Sequence, residues 1–103
     1  MHMNTAIPCG IIINELVSNA LKYAFPDDRK GTIGIGLQED QDHQYVLTIR
    51  DNGIGFPKDL DFRHTETLGL QLVITLTSQL DGTIQMNQGE GTTFTIRFPE
   101  QGY

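Results

Sequence analysis

The residue pattern predicts an α+β fold: a two-layer sandwich in which helices cover one face of a mixed, largely antiparallel sheet. Three observations carry that prediction. Two segments repeat apolar residues at helical spacing, four segments alternate apolar and polar residues, and their order is helix, strand, strand, helix, strand, strand. The 103 residues show no internal repeat and no interdomain linker, and that length holds one small domain.

The first helix is expected over residues 8–24. Pro8 suits a first helical turn and Pro26 stops the run. Within it Ile12, Ile13, Leu16, Val17, Ala20, Leu21 and Ala24 recur at helical spacing and define one broad buried face. Pro26-Asp27-Asp28-Arg29-Lys30-Gly31 is dense in turn residues and reads as a loop. Ile33, Ile35 and Leu37 then alternate with Gly and Gln in a first strand, and Tyr45, Leu47 and Ile49 alternate across residues 44–50 in a second. The acidic link Glu39-Asp40-Gln41-Asp42 reads as the solvated tip of a hairpin.

A second helix is expected over residues 69–80, with Leu72, Val73, Leu76 and Leu80 as its apolar stripe and Asp81-Gly82 as its stop. Two last strands follow, 83–87 with Ile84 and Met86 inward, and 92–98 with Phe94, Ile96 and Phe98 inward. Gln88-Gly89-Glu90-Gly91 turns between them. Met1-His2-Met3 has the look of a tag remnant, which leaves 4–103 as the domain.

Composition narrows the function. Thirteen acidic residues against seven Lys and Arg give a formal net charge of -6. That argues against a generic nucleic-acid or anionic-membrane binder, whose affinity rests on a basic surface. No apolar run approaches the ~18 residues of a membrane helix, and no signal-peptide layout opens the chain. A single cysteine, Cys9, excludes an intramolecular disulfide and a Cys-based zinc cage. The expectation is a soluble, cytoplasmic domain.

Four features carry chemistry. Glu15, Asn19 and Lys22 are four and three residues apart, so they share one helix face, with Tyr23 at its border. Spacing alone leaves two readings, a solvated helix side or a ligand stripe. Spacing by itself favours the solvated side, and what weakens that reading is the Asn, a poor mid-helix residue because its side chain competes with the backbone. Asp51-x-Gly53-x-Gly55 follows a strand; it is either a common turn or a place where a ligand approaches bare backbone beside a carboxylate. Thr67-Leu68-Gly69-Leu70 enters the second helix, whose free amides suit phosphate oxygens, although a plain helix start has the same look. Gly89-x-Gly91-Thr92 is either a tight hairpin turn or a close-approach loop with a hydroxyl.

Together, and in this order, the four resemble a known family. Residues 13–25, from Ile13-Asn14-Glu15-Leu16-Val17-Ser18-Asn19 through Lys22-Tyr23-Ala24-Phe25, are similar to the N box of the histidine-kinase ATP-binding domain. Asp51-Asn52-Gly53-Ile54-Gly55-Phe56, Thr67-Leu68-Gly69-Leu70 and Gly89-Glu90-Gly91-Thr92-Thr93-Phe94 resemble its three glycine boxes. The resemblance covers nearly all of residues 5–99. The wider superfamily holds gyrase-type ATPases and heat-shock chaperones, while the N-box wording favours the kinase.

The resemblance implies the following roles. Asn19 would ligate Mg²⁺ through its amide oxygen, and Glu15 would be a general base or a water-mediated metal partner. Lys22 would meet phosphate. Asp51 would bind the adenine amino group of ATP, with Gly53 and Gly55 leaving room for the ring and Thr92 supporting the contact. Gly91 belongs to the same box as Thr92. Tyr23 would pack near the nucleoside, and Gly69 and Leu70 would close over the phosphates. The partner would be a His-bearing dimerisation-helix domain of the same kinase, with a response regulator reached indirectly.

Three departures accompany the resemblance. The strand and helix that usually precede the N box are absent, so the fold is expected to be N-terminally incomplete. The second glycine box has one matching glycine where many kinases have more. His2, His43 and His64 all lack the helical setting of a phospho-acceptor. Two other readings stay open: a stand-alone protein-serine kinase of the anti-sigma-regulator type, and a nucleotide-binding module without catalysis. The polar stretch 58–68 is expected to be a mobile lid.

Overall fold

The computed structural model describes residues 3–23, 30–53 and 68–100. Its elements, in chain order, are α1 (Met3–Tyr23), β1 (Ile33–Glu39), β2 (Gln44–Asp51), α2 (Leu68–Gln79), β3 (Thr83–Gly89) and β4 (Gly91–Pro99). The expected order is found, and no strand bound moves by more than two residues.

The strands form one sheet in the order β1-β2-β4-β3, antiparallel at every pairing among the described residues. Two hairpins make the outer pairs, and β4 returns to lie beside β2. The register sets the core, because residues opposite one another share a face. Leu47 stands opposite Ile96, which stands opposite Ile84; Ile49, Phe94 and Met86 form the next row. Tyr45 and Phe98 close the far end with ring centroids 5.5 Å apart. Both helices pack on this face and on each other, bringing Ile12, Leu16, Val73 and Leu80 onto it. Burying each such side chain stabilises the fold by roughly 1.5–3 kcal/mol. Neither helix is long and apolar enough to cross a membrane.

The first helix differs from expectation at its start. It begins at Met3 and carries Pro8 inside it. Proline lacks the amide a helix interior uses, yet Thr5 and Cys9, one turn apart, are both buried. Packing therefore holds a first turn that local preference would not begin. The buried line runs through Thr5, Cys9, Ile12, Leu16, Asn19 and Ala20. Leu21, expected inside, is 63% exposed, since it lies about 100° around the helix from Ala20. Leu72 also sits at the margin of the buried stripe rather than within it.

On β1, Ile35 and Leu37 share the inward face with their partners Ile49 and Leu47. They are nevertheless 54% and 49% exposed, because β1 is an edge strand and the two helices leave them uncovered.

The turns are built by side chains. Asp40 Oδ1 accepts the amides of Asp42 at 2.8 Å and Gln44 at 3.0 Å, and Arg97 Nη1 donates to Oδ2 at 3.1 Å. The acidic tip is thus an organised hairpin rather than only a wet loop. The Gln44 amide, helped by the Asp42 amide and Arg97, holds the Asp40 carboxyl below its usual range against the opposing effect of desolvation. Helix α2 ends with Asp81 at φ 57, while the amides of Gly82 and Asp81 donate to the carbonyls of Thr77 and Ser78. That is a left-handed C-terminal cap with two backbone bonds.

Candidate nucleotide site

The candidate residues fall into two groups. The first is at the end of β2. Asp51 is 7% exposed, and its Oδ1 accepts the amide of the buried Gly53 at 2.9 Å. Its register partner is Thr92, on the same face of the sheet. Thr92 is 1% exposed, and its hydroxyl has no hydrogen-bond partner among the described residues. Gly91 has φ +115, and a Cβ there would collide with the Asp51 carbonyl oxygen and come within 2.9 Å of the Asn52 Cα. Only glycine permits both the backbone angle and the approach. The start of β4 is thereby clamped to the end of β2.

One contributor escaped sequence reasoning. Asn52 Oδ1 accepts the Thr32 amide at 2.7 Å, and the Asn52 amide donates back to the Thr32 carbonyl at 3.2 Å. This reciprocal pair ties the loop after Asp51 to the residue before β1. Its only local signal was an amide side chain between Asp and Gly, which many turns share.

The second group lies where α1 meets α2. A Cβ on Gly69 would come within 2.6 Å of Glu15 Oε2, so the carboxylate is seated against bare backbone at the start of α2. Asn19, one turn along from Glu15, is 7% exposed, and its Nδ2 has no hydrogen-bond partner among the described residues. The solvated-side reading of this stripe therefore fails at Asn19, which is buried, and holds at Lys22, which is exposed. Lys22 also stands in the last turn of α1, where a cation suits the helix dipole. Leu70 directs its side chain into the core, which leaves only its backbone for a ligand. Gly55 and residues 58–67 of the stretch expected to be a lid lie outside the described residues, as does the side chain of Tyr23, while Leu68, the last residue of that stretch, opens α2 instead.

Asn19 and Thr92 are informative together. A buried polar atom without a partner costs about 1–3 kcal/mol, so such atoms are rare unless something else satisfies them. Here two of them belong to motifs singled out from sequence. The third, the Thr5 hydroxyl, belongs to none. A depression of about 300 Å³ opens at the sheet end beside Asp51 and Gly91. A larger one, about 460 Å³, lies on the uncovered sheet face over Gly34 and Gly36 and touches no candidate residue. The smaller touches Asp51 and Gly91, but Arg50, Asn87 and Thr93 line it from the opposite sheet face, and it does not reach Thr92, Asn19 or Glu15.

With this geometry in place, likeness to known proteins decides the family. Residues 5–102 match the family described as histidine kinase-, DNA gyrase B-, and HSP90-like ATPases. The chain belongs to this ATPase family. Among relatives of the domain, blue-light-activated histidine kinase 2 of Erythrobacter litoralis is 30% identical over 98 residues, covering 94% of this chain and 28% of the relative. Sensor histidine kinase PdtaS of Mycobacterium tuberculosis is 34% identical over 93 residues, covering 86% of this chain and 18% of the relative. The ATPase domain thus spans less than a third of either. A solved histidine kinase domain from Erythrobacter litoralis EL346 superposes with a TM-score of 0.86 at 30% identity, covering 93% of this chain and 45% of that one. Acinetobacter baumannii histidine kinase AdeS follows at 0.76 and 28%, covering 92% and 47%. The protein is a histidine-kinase-type ATPase domain with the fold of its structural neighbours.

Proposed function

We propose that the domain binds Mg-ATP across its two residue groups and supplies the γ-phosphoryl group to a histidine on a separate dimerisation-helix domain, in a cytoplasmic two-component kinase. The observation that carries this reading is Asp51. It is a buried carboxylate with one oxygen pinned by the Gly53 amide, beside a buried hydroxyl on Thr92 that lacks a partner. Asp51 Oδ2 is left to accept a hydrogen bond from an exocyclic amine such as that of adenine. Gly53 and Gly91 keep side chains away from the base, and Gly55 and Tyr23 complete the pocket on the family pattern.

The phosphate end falls to Glu15, Asn19, Lys22, Gly69 and the amide of Leu70. The first four amides of a helix have no partner within it and suit phosphate oxygens. The residues fit a magnesium ion. Asn19 is buried one turn from Glu15, and its side-chain amide oxygen is a hard ligand. No group of three or more His, Cys, Asp or Glu stands together among the described residues. Bound at Asn19, the ion would neutralise phosphate charge that a chain of net charge -6 otherwise repels. Glu15 would take the proton from the ring nitrogen opposite the one whose lone pair attacks, and transfer is otherwise positioning and electrostatics.

His43 stands in the β1–β2 hairpin with φ 59 and contacts Glu39, a setting unlike an acceptor helix. The chain alone is therefore expected not to phosphorylate itself. Incubating it with labelled ATP, with and without a dimerisation-helix domain of a sensor kinase, tests the reading. Acid-labile phosphohistidine only when that domain is present supports it. Transfer to a protein serine instead would favour the anti-sigma type, and nucleotide binding without any transfer would favour a binding module.

A further inference from the structure

We propose that β1 is a self-pairing edge: a second copy of this chain adds its own β1, antiparallel and centred on Ile35, and extends the sheet across a two-fold axis.

The open groups of this edge can be assigned. Strand β1 is outermost in the sheet. Before it, the Asn52 amide donates to the Thr32 carbonyl; after it, the Asp40 amide donates to the Gln44 carbonyl. Thr32 and Asp40 therefore turn their backbone toward β2, and alternation gives Gly34, Gly36 and Gln38 the same direction. The N–H and C=O groups of Ile33, Ile35 and Leu37 point the other way, out of the sheet edge. Their side chains lie on the helix side, where Ile35 and Leu37 stand half exposed. On the opposite face Gly34 and Gly36 have open space where a Cβ would be. An incoming strand thus meets bare backbone on one face and uncovered apolar side chains on the other. Soluble domains usually blunt such an edge with lysine, proline, a bulge or a covering element. Residues 33–37 hold no charge and no proline, and β1 pairs with β2 without a bulge. At the other edge, on β3, the helix layer covers Ile84.

What fits this edge is β1 itself. A two-fold pairing needs a surface complementary to its own copy. Ile33-Gly34-Ile35-Gly36-Leu37 reads nearly the same in both directions about Ile35. Antiparallel pairing centred there sets Ile35 against Ile35 of the copy, Ile33 against Leu37 and Gly34 against Gly36. The residues with outward backbone groups then face one another, so each such pair exchanges hydrogen bonds. Continued past the strand ends, the same register brings the exposed Lys30 opposite Asp40 of the copy. Opposite charges therefore flank the apolar centre at both ends. A shift of two residues sets Ile33 against Glu39 or Leu37 against Gly31, and either loses an apolar match. One added strand makes an interface below about 1,200 Å², so the dimer is reversible, with a Kd of roughly micromolar to millimolar.

Sedimentation equilibrium of the 103-residue chain, from about 10 µM to about 1 mM, tests this. Wild type is expected to show a reversible monomer–dimer equilibrium. Ile35→Lys sets like charges together on the axis, and Ile35→Pro removes an outward N–H that the ladder to β2 does not use. Each is expected to raise the dimer Kd at least about tenfold. Ile7→Lys, on the exposed side of α1, is expected to leave it unchanged. A chain that stays monomeric at about 1 mM overturns the proposal. So does a dimer that both Ile35 variants leave intact, or one that Ile7→Lys abolishes, since α1 would then be the contact. Cross-linking with diamide tests the register without relying on those variants, because the native Cys9 is buried. Ile35→Cys is expected to yield a disulfide-linked dimer, since Cα atoms paired on the axis stand about 5.5 Å apart. Gln38→Cys, with its two copies about 20 Å apart, is expected not to. Equal cross-linking of the two overturns the register and the proposal with it.

Discussion

Gly91 lies so close to the main chain of Asp51 that no side chain fits between them. The glycine at the start of β4 and the carboxylate at the end of β2 are thus one structural unit, although 40 residues separate them in sequence. Gly91→Ala should break that unit twice over, through the φ of +115 and through the collision with the Asp51 carbonyl. The expected loss of stability is about 1–3 kcal/mol. Urea unfolding measures it, and a midpoint equal to wild type would mean the clamp is not there.

Leu37 and Leu47 are register partners with opposite surroundings, 49% and 1% exposed. Leu47→Ala should therefore cost about 2–5 kcal/mol, as for a buried leucine. Leu37→Ala should cost below about 1 kcal/mol, since little packing is lost. Denaturant midpoints for the two variants check the contrast. Equal costs would mean that the helix layer covers Leu37.

Asp81 caps α2 in a left-handed conformation that glycine adopts without strain. Its negative charge also stands at the wrong end of the helix dipole. Both effects act in one direction, so Asp81→Gly should stabilise the domain by ~1 kcal/mol despite the looser unfolded chain. A thermal midpoint below wild type would contradict this account of the turn.

Asp40 links stability to pH. Backbone amides of Gln44 and Asp42, with Arg97, depress its folded pKa below the unfolded value. Its contribution is therefore present above the unfolded carboxylate pKa and lost as pH falls through the lower folded one. Asp40→Asn should lower the urea midpoint at neutral pH and have progressively less effect as the solution is acidified. A deficit that persists unchanged at low pH would assign the effect to shape rather than charge.

Much of the fold was legible because its core is periodic. Leu47 and Ile49, or Phe94, Ile96 and Phe98, announce buried strand faces by alternation alone. Sequence patterning failed where tertiary packing overrode local preference. Pro8 reads as a helix start, yet burial of Thr5 and Cys9 carries the helix back past it. Asp40 reads as a solvated charge because its partner Arg97 is 57 residues away. At the site, the four motifs were visible, and their spacing suggested ligand chemistry without deciding it. Two pairings had no specific sequence signal: Glu15 against Gly69, and the reciprocal bonds of Asn52 with Thr32. Each depends on how α1, α2 and β1 are placed in space.

The central claim is that Asp51 reads the nucleotide base. Calorimetric titration of wild type and Asp51→Asn with Mg-ADP tests it most directly. The exchange keeps the size of the side chain and an oxygen for the Gly53 amide, but removes the charge that accepts the amine of the base. Losing one charged hydrogen bond should weaken binding by roughly 1.5–3 kcal/mol, about tenfold or more. Affinity for Mg-ADP unchanged by Asp51→Asn would contradict the assignment of this pocket.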